Sequence, residues 1–168
     1  YTTLATIVQL FGEDKGFEFM AGLHANINQY TKSGSAPIKA AARGESTVGI
    51  VFMHDAVKQA VAGFPITVVA PCEGTGYEIG SMSIIDGARN EDSAKAFYDW
   101  ALTTEAQNLA LEVNAFQVPS NASSKTSPAA PNMDDIKLID YNFTLYGSSD
   151  ERRRLLSKWD EDISTLPQ

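Results

Sequence analysis

The stretch 48–85, VGIVFMHDAVKQAVAGFPITVVAPCEGTGYEIGSMSII, limits the possible fold more than any other part of the chain. It opens with Val48, Gly49, Ile50, Val51 and Phe52, an apolar run that reads as a buried strand. Val57, Ala60, Val61 and Phe64 then recur at the i, i+3, i+4, i+7 spacing of a core-facing helical stripe. Gly63 and Pro65 stop that helix, and the β-branched run Ile66, Thr67, Val68, Val69 follows at once. Strand, short helix and strand make a βαβ unit, so the two strands are expected to lie parallel in one sheet of an α/β fold. Open sheets of this kind collect ligands at the carboxyl ends of their strands. His54 and Asp55 fall just past the first strand, and residues 73–78, from Glu73 to Glu78, just past the second. A candidate site is therefore already marked.

The remaining segments suit helices around such a sheet. Leu4, Ile7, Val8 and Phe11 share a face that ends at Gly12, with Thr2 or Thr3 as the N-cap. A second helix is expected over 14–26, with Phe17, Met20 and Ala21 inward and His24 near its C-terminus. Ser35 and Pro37 open a helix through Arg43. Its free N–H groups, with Lys32, Ser33 and Ser35 nearby, suit an anion. Residues 81–85 alternate as a further strand, and Asp86-Gly87 turns the chain into a helix capped by Asn90. There Ala94, Phe97, Tyr98, Ala101 and Leu102 keep the helical period, and Thr104 with Gln107 has capping-box spacing for a helix through Val113. Residues 120–131 read as a surface loop, and 136–139 as a short strand. A last helix begins at Ser149 and Asp150, with Leu155, Leu156, Trp159 and Ile163 along one side and Arg152, Arg153 and Arg154 on its solvated face. Asn121 and Asn142 head short glycosylation-type triplets of a kind common by chance.

Composition matters mainly for what it rules out. A chain of 168 residues with 43% hydrophobic content supports a packed core, whereas a net charge of −8 argues against nucleic acid or an anionic membrane as a partner. No apolar run approaches the length of about 18 residues that a membrane span needs. Beginning at Tyr1, already inside a helical pattern and without a signal peptide, the chain reads as a piece of something longer. Cys72 is the one cysteine and reads as a small buried residue. With His24, His54 and Cys72 the only nitrogen or sulfur ligands, neither a zinc site nor any other metal or cofactor is expected. The nucleophile-elbow, phosphate-loop, His-Glu-x-x-His and Cys-x-x-Cys patterns are all absent, so no enzyme is marked.

Several phrases together are more specific. Glu78-Ile79-Gly80, then Ser83-Ile84-Ile85-Asp86-Gly87-Ala88-Arg89-Asn90, then the run from Ala94 to Trp100 and Thr104-Glu105-Ala106-Gln107, resemble the bacterial extracellular solute-binding proteins of ABC importers, in their ferric-ion-binding-like branch. The resemblance covers essentially the whole chain, is most specific over 76–107 and is loosest beyond Asp140. It implies a type II periplasmic-binding fold: two α/β lobes joined by crossing strands, with ligand in the cleft. Residues 1–75 and 119–168 would supply the second lobe, a parallel-rich sheet flanked by helices. Residues 76–118 would supply the hinge strand and the helices that dock on a first lobe, and that lobe lies outside this sequence.

Ferric-binding members carry adjacent tyrosines where this chain, after Gly44-Glu45, has His54 and Asp55. Paired phenolates suit Fe(III) better than a His-Asp pair does. His54, Asp55 and Glu78 instead resemble the set with which hexose-phosphate-binding members grip sugar hydroxyls, through directional donor and acceptor bonds. By the same resemblance Thr2, Thr3, Ser33 and Ser35 would receive the phosphate. Tyr77 is expected to stack on the sugar, and Glu78, whose carboxylate would repel phosphate, to face the hydroxyl end. The implied protein is a non-enzymatic receptor, a monomer when whole. It would capture a small phosphorylated sugar or related polar anion for an ABC permease in the inner membrane, without itself inserting there. Its place would be the periplasm, or a lipid-anchored extracellular position in a Gram-positive host. Ferric-ion binding is the alternative within the family, and a hydrolase using His54 and Asp55 the alternative outside it. Asp55 would equally serve as a plain N-cap for a helix starting at Ala56, a role that contributes about 1 kcal/mol.

Overall fold

The amphipathic N-terminal segment forms helix α1 (Thr2–Phe11) in the computed structural model, which describes residues 1–167. Gly12 ends it with φ 81°, a left-handed conformation open to glycine, and donates its N–H to Val8 O at 2.9 Å. That turn folds α2 (Glu13–His24) back onto α1. The chain divides into two units, one made of Tyr1–Thr31, Ala70–Glu78 and the part from Met133 onward, the other of Lys32–Val69 and Ile79–Asn132.

The first unit is built on helix packing. Besides α1 and α2 it holds a 3₁₀ turn, Met133–Asp135, the short helix α7 (Phe143–Tyr146) and the last helix, α8 (Ser149–Asp162). Its core joins Leu4 and Val8 of α1, Phe17 and Met20 of α2, Leu155 of α8 and Ile163 just beyond it. Leu155 is 0% exposed and Ile163 2%. Deleting such a side chain removes its transfer energy and leaves a cavity, together about 2–5 kcal/mol. Helix α8 begins at Ser149 as expected, and the hydroxyl of Ser148 caps it by accepting from Glu151 N at 3.2 Å.

Arg152, Arg153 and Arg154 are exposed as expected, yet each has a partner. Arg154 reaches Glu13 of α2 and Glu151 of α8, both at 2.7 Å; Arg153 pairs with Asp150; and Arg152 lies 4.7 Å over the Tyr1 ring. The run is thus a clamp between helices as well as a solvated face.

The second unit contains α3 (Ala36–Ala42), α4 (Met53–Val61), α5 (Glu91–Ala101) and α6 (Thr104–Glu112). Helices α3 and α4 pack together, the first burying Ile38 and Ala42 and the second Ala56 and Val57. Thr103, one residue ahead of the expected cap at Thr104, closes the start of α6 by accepting from Ala106 N at 3.2 Å.

Among the described residues no hydrogen-bonded ladder forms over 48–52, 66–69 or 81–85; these runs are irregular or extended and largely exposed. The one bridge is parallel, between Thr75 and Leu138, closed by Thr75 N to Lys137 O at 2.9 Å and Ile139 N to Thr75 O at 3.0 Å. It confirms an extended pairing at 136–139 but not a sheet. A ladder needs a neighbouring strand about 4.8 Å away, which a sequence pattern alone does not provide. No helix of the described residues is long and apolar enough to cross a membrane.

Candidate functional site

The polar residues singled out by sequence fall into two groups, one in each unit. In the second unit α4 starts at Met53, with Phe52 in extended conformation at the N-cap position and no side-chain cap. Asp55 is therefore the third residue of the helix and not its N-cap, so the capping role open to it in sequence is not the one it has. A carboxylate in the first turn still complements the helix dipole, worth about 0.3–1 kcal/mol. His54 lies beside it, its Nε2 3.9 Å from Asp55 Oδ2, beyond hydrogen-bond range. The Phe52 ring stacks on the imidazole with centroids 5.7 Å apart and planes 15° apart. The two polar side chains remain 30% and 26% exposed, and no hydrogen bond to a described residue engages either. A donor–acceptor pair held at a helix start, with its valences open, can bind a hydroxyl-rich molecule.

Ser35 occupies the N-cap position of α3, again without a side-chain cap bond, and Ser33 is exposed in the loop before it. The Ser33 carbonyl accepts from Ala36 N at 3.3 Å.

The first unit gathers the other residues at the start of α1. The Thr2 hydroxyl donates to Glu78 Oε1, and Thr6 Oγ1 donates to Thr2 O at 2.7 Å. Thr2 is thus bound to a carboxylate, while Thr3 on the same turn is exposed. Tyr77 makes edge contacts with Phe143 at 5.2 Å and Tyr141 at 6.3 Å, so its ring belongs to an aromatic cluster. Gly76 makes this approach possible: a Cβ there would collide with Thr6 Oγ1 and stand 3.3 Å from Tyr141 Cδ2. Phe52 and Tyr141 were not marked by sequence reasoning. The first had a signal, an aromatic two residues before His54; the second lies far along the chain from Glu78 and had none.

Other sequence-marked residues have structural roles. His24 is buried, its Nδ1 3.1 Å from Tyr30 Oη and its Nε2 3.0 Å from Leu166 O, which makes it a pin for the C-terminal segment. Cys72 is exposed, contrary to the buried position expected, because residues 71–73 form a surface turn; its Sγ is 3.3 Å from Glu73 Oε2. Asn121 and Asn142 both hold backbone: Asn121 donates to Leu102 O and accepts from Ser123 N, each at 2.9 Å, and Asn142 caps α7. No group of three or more His, Cys, Asp or Glu placed to hold a metal ion occurs among the described residues.

Comparison with known proteins defines the class. Residues 4–136 match the bacterial extracellular solute-binding protein family, and the chain belongs to that family. Among solved structures it is similar to the periplasmic binding protein AfuA of Actinobacillus pleuropneumoniae with exogenous fructose-6-phosphate bound, at 51% identity and TM-score 0.94, covering 99% of this chain and 52% of that one. It is also similar to the periplasmic binding protein P5PA, at 39% identity and TM-score 0.90, covering 98% and 52% respectively. An uncharacterised protein of Haemophilus influenzae is 47% identical over 164 residues, which is 97% of this chain and 47% of that protein. The chain thus follows the periplasmic-binding fold and spans about half the length of the relatives it matches.

Proposed function

We propose that the whole protein is the periplasmic receptor of an ABC importer and captures a hexose phosphate or a closely related sugar phosphate. The observation that carries this is the open His54–Asp55 pair at the start of α4, in a chain 51% identical to a receptor with fructose-6-phosphate bound. Imidazole and carboxylate hold sugar hydroxyls, and an analogue lacking the hydroxyl leaves those groups unpaired, which gives discrimination. Glu78 accepts from the hydroxyl end of the sugar. Because Thr2 already serves Glu78, the phosphate is received chiefly by Thr3, Ser33, Ser35 and backbone N–H groups. Binding without turnover, followed by delivery to the permease, is the expected activity.

The same reading explains the exposed apolar surface of the second unit. An apolar groove of about 430 Å³ runs between residues 82–85 and the face of α5 that carries Ala94, Phe97 and Tyr98. Val48, Val69 and Ile85 are 76%, 72% and 79% exposed. In the whole protein these runs become strands of a parallel-rich sheet, and residues 76–118 form the hinge strand and docking helices on a preceding lobe. Patches of that kind ordinarily mark a buried interface, and relatives twice as long have the chain to cover it.

A thermal-shift and calorimetric screen of the full-length protein tests the ligand. Fructose-6-phosphate and glucose-6-phosphate should raise Tm by mass action, whereas inorganic phosphate, free hexose and Fe(III) should raise it far less. A shift with Fe(III) alone would refute the sugar-phosphate reading, and release of free phosphate on incubation would refute a receptor that leaves its ligand unchanged.

A further inference from the structure

We propose that the Tyr141 hydroxyl is a further ligand-contacting group, the donor that works beside the acceptor Glu78 on a single sugar hydroxyl or a vicinal pair. The inference rests on the sugar-phosphate reading and adds to it a specificity-determining residue. Tyr141 is 9% exposed, the deepest tyrosine of the first unit. Its ring is fixed by Phe143, Tyr77 and Tyr146, with centroids at 4.8, 6.3 and 6.3 Å. The bare α-carbon of Gly76 lets that ring close on the segment leading to Glu78.

Amid this packing the hydroxyl makes no hydrogen bond to any described residue, and it is not sealed from solvent. A phenol immobilised on three sides with its one polar atom open is poor use of a tyrosine if packing were its whole role, because phenylalanine would pack as well. Burial first, and then the negative field of Tyr1 and Glu78, raise the phenol above its ordinary pKa, so it stays a neutral donor at physiological pH. Glu78 carries two acceptor oxygens, one already taken by Thr2. A sugar hydroxyl both donates and accepts, so a neutral phenol and an ionised carboxylate together satisfy it, and neither does so alone. The same carboxylate repels phosphate, which places Tyr141 at the sugar end of the ligand.

The test uses the full-length protein and its Tyr141→Phe variant, which keeps the ring and removes only the oxygen. Calorimetry with fructose-6-phosphate should show Kd raised about tenfold, as for the loss of one well-formed hydrogen bond, with the ligand-free Tm within about 2 °C of wild type. Across a set of monodeoxy hexose phosphates, one analogue should bind wild type and variant equally, identifying the hydroxyl that Tyr141 serves. An unchanged Kd overturns the assignment, and so does an equal loss on every analogue, which would mean that Tyr141 merely positions Glu78. His54→Ala separates the levels. If it weakens binding while Tyr141→Phe does not, only the assignment of Tyr141 fails. If wild type binds no hexose phosphate, the sugar-phosphate reading fails and the assignment falls with it.

Discussion

The two units of this chain treat their apolar residues in opposite ways. In the first, α1, α2 and α8 close around Leu4, Val8, Phe17, Met20, Leu155 and Ile163. In the second, burial is limited to a few positions such as Ile38, Ala42, Ala56 and Val57, while α5 and α6 bury no residue at all. A helix satisfies its own backbone and needs only a face to pack against; a strand needs a neighbour for every hydrogen bond. The unit made of helices buries its apolar faces, whereas the unit that carries the strand-like runs leaves them largely exposed.

The largest expected effect comes from breaking the completed core. Leu155→Ala should destabilise the protein by about 3–5 kcal/mol, whereas Val57→Ala in the less buried unit should cost about 1–2 kcal/mol; chemical denaturation of both variants measures the contrast. Equal losses would mean that the second unit is packed as well as the first. Next comes Gly76→Ala. The added methyl meets Thr6, so stability should fall by about 1–3 kcal/mol. Thr6→Ala in the same chain should restore part of the loss, and failure to do so would remove Thr6 as the cause.

The Arg154 clamp is smaller. Its side chain is half exposed, so after allowance for screening Arg154→Ala should cost about 1 kcal/mol at neutral pH. The hydrogen bond from Arg154 holds both Glu13 and Glu151 below the usual carboxylate range. A depressed carboxylate stabilises the fold fully above its unfolded pKa and loses that contribution as pH falls through the folded value. The gap between wild type and variant should therefore be constant from pH 6 to 8, close below about pH 4, and shrink with added salt. A gap that persists in acid would assign the effect to packing of the Arg154 stem. Smallest of all, Cys72→Ser should leave stability within about 0.5 kcal/mol, as for an exposed residue; a larger loss would show that the thiol is covered in the whole protein.

Much of this organisation was legible in the sequence because it is local. The stripe from Leu155 to Ile163 identified α8, Gly12 identified the end of α1, and the family resemblance over residues 76–107 matches the family to which the chain belongs. The cap of α6 slipped by a single residue, to Thr103, since consecutive Thr residues offer the same hydroxyl, while α8 begins at Ser149 as expected. What escaped was long-range. The approach of Tyr77 to Tyr141 and the bond from Thr2 to Glu78 join residues far apart in sequence, and no periodicity encodes them. The exposure of Cys72 escaped for a related reason, because it depends on a turn that residue type does not announce. His54 and Asp55 were visible as a pair, but only the helix start at Met53 shows that Asp55 is not the N-cap.

The most direct test of the account is the affinity of full-length His54→Ala for fructose-6-phosphate, measured by calorimetry beside wild type. Loss of this donor–acceptor to a sugar hydroxyl should weaken binding by about tenfold or more, with the ligand-free Tm nearly unchanged. Wild-type affinity in that variant would contradict the claim that this imidazole, beside Asp55 at the start of α4, holds the sugar.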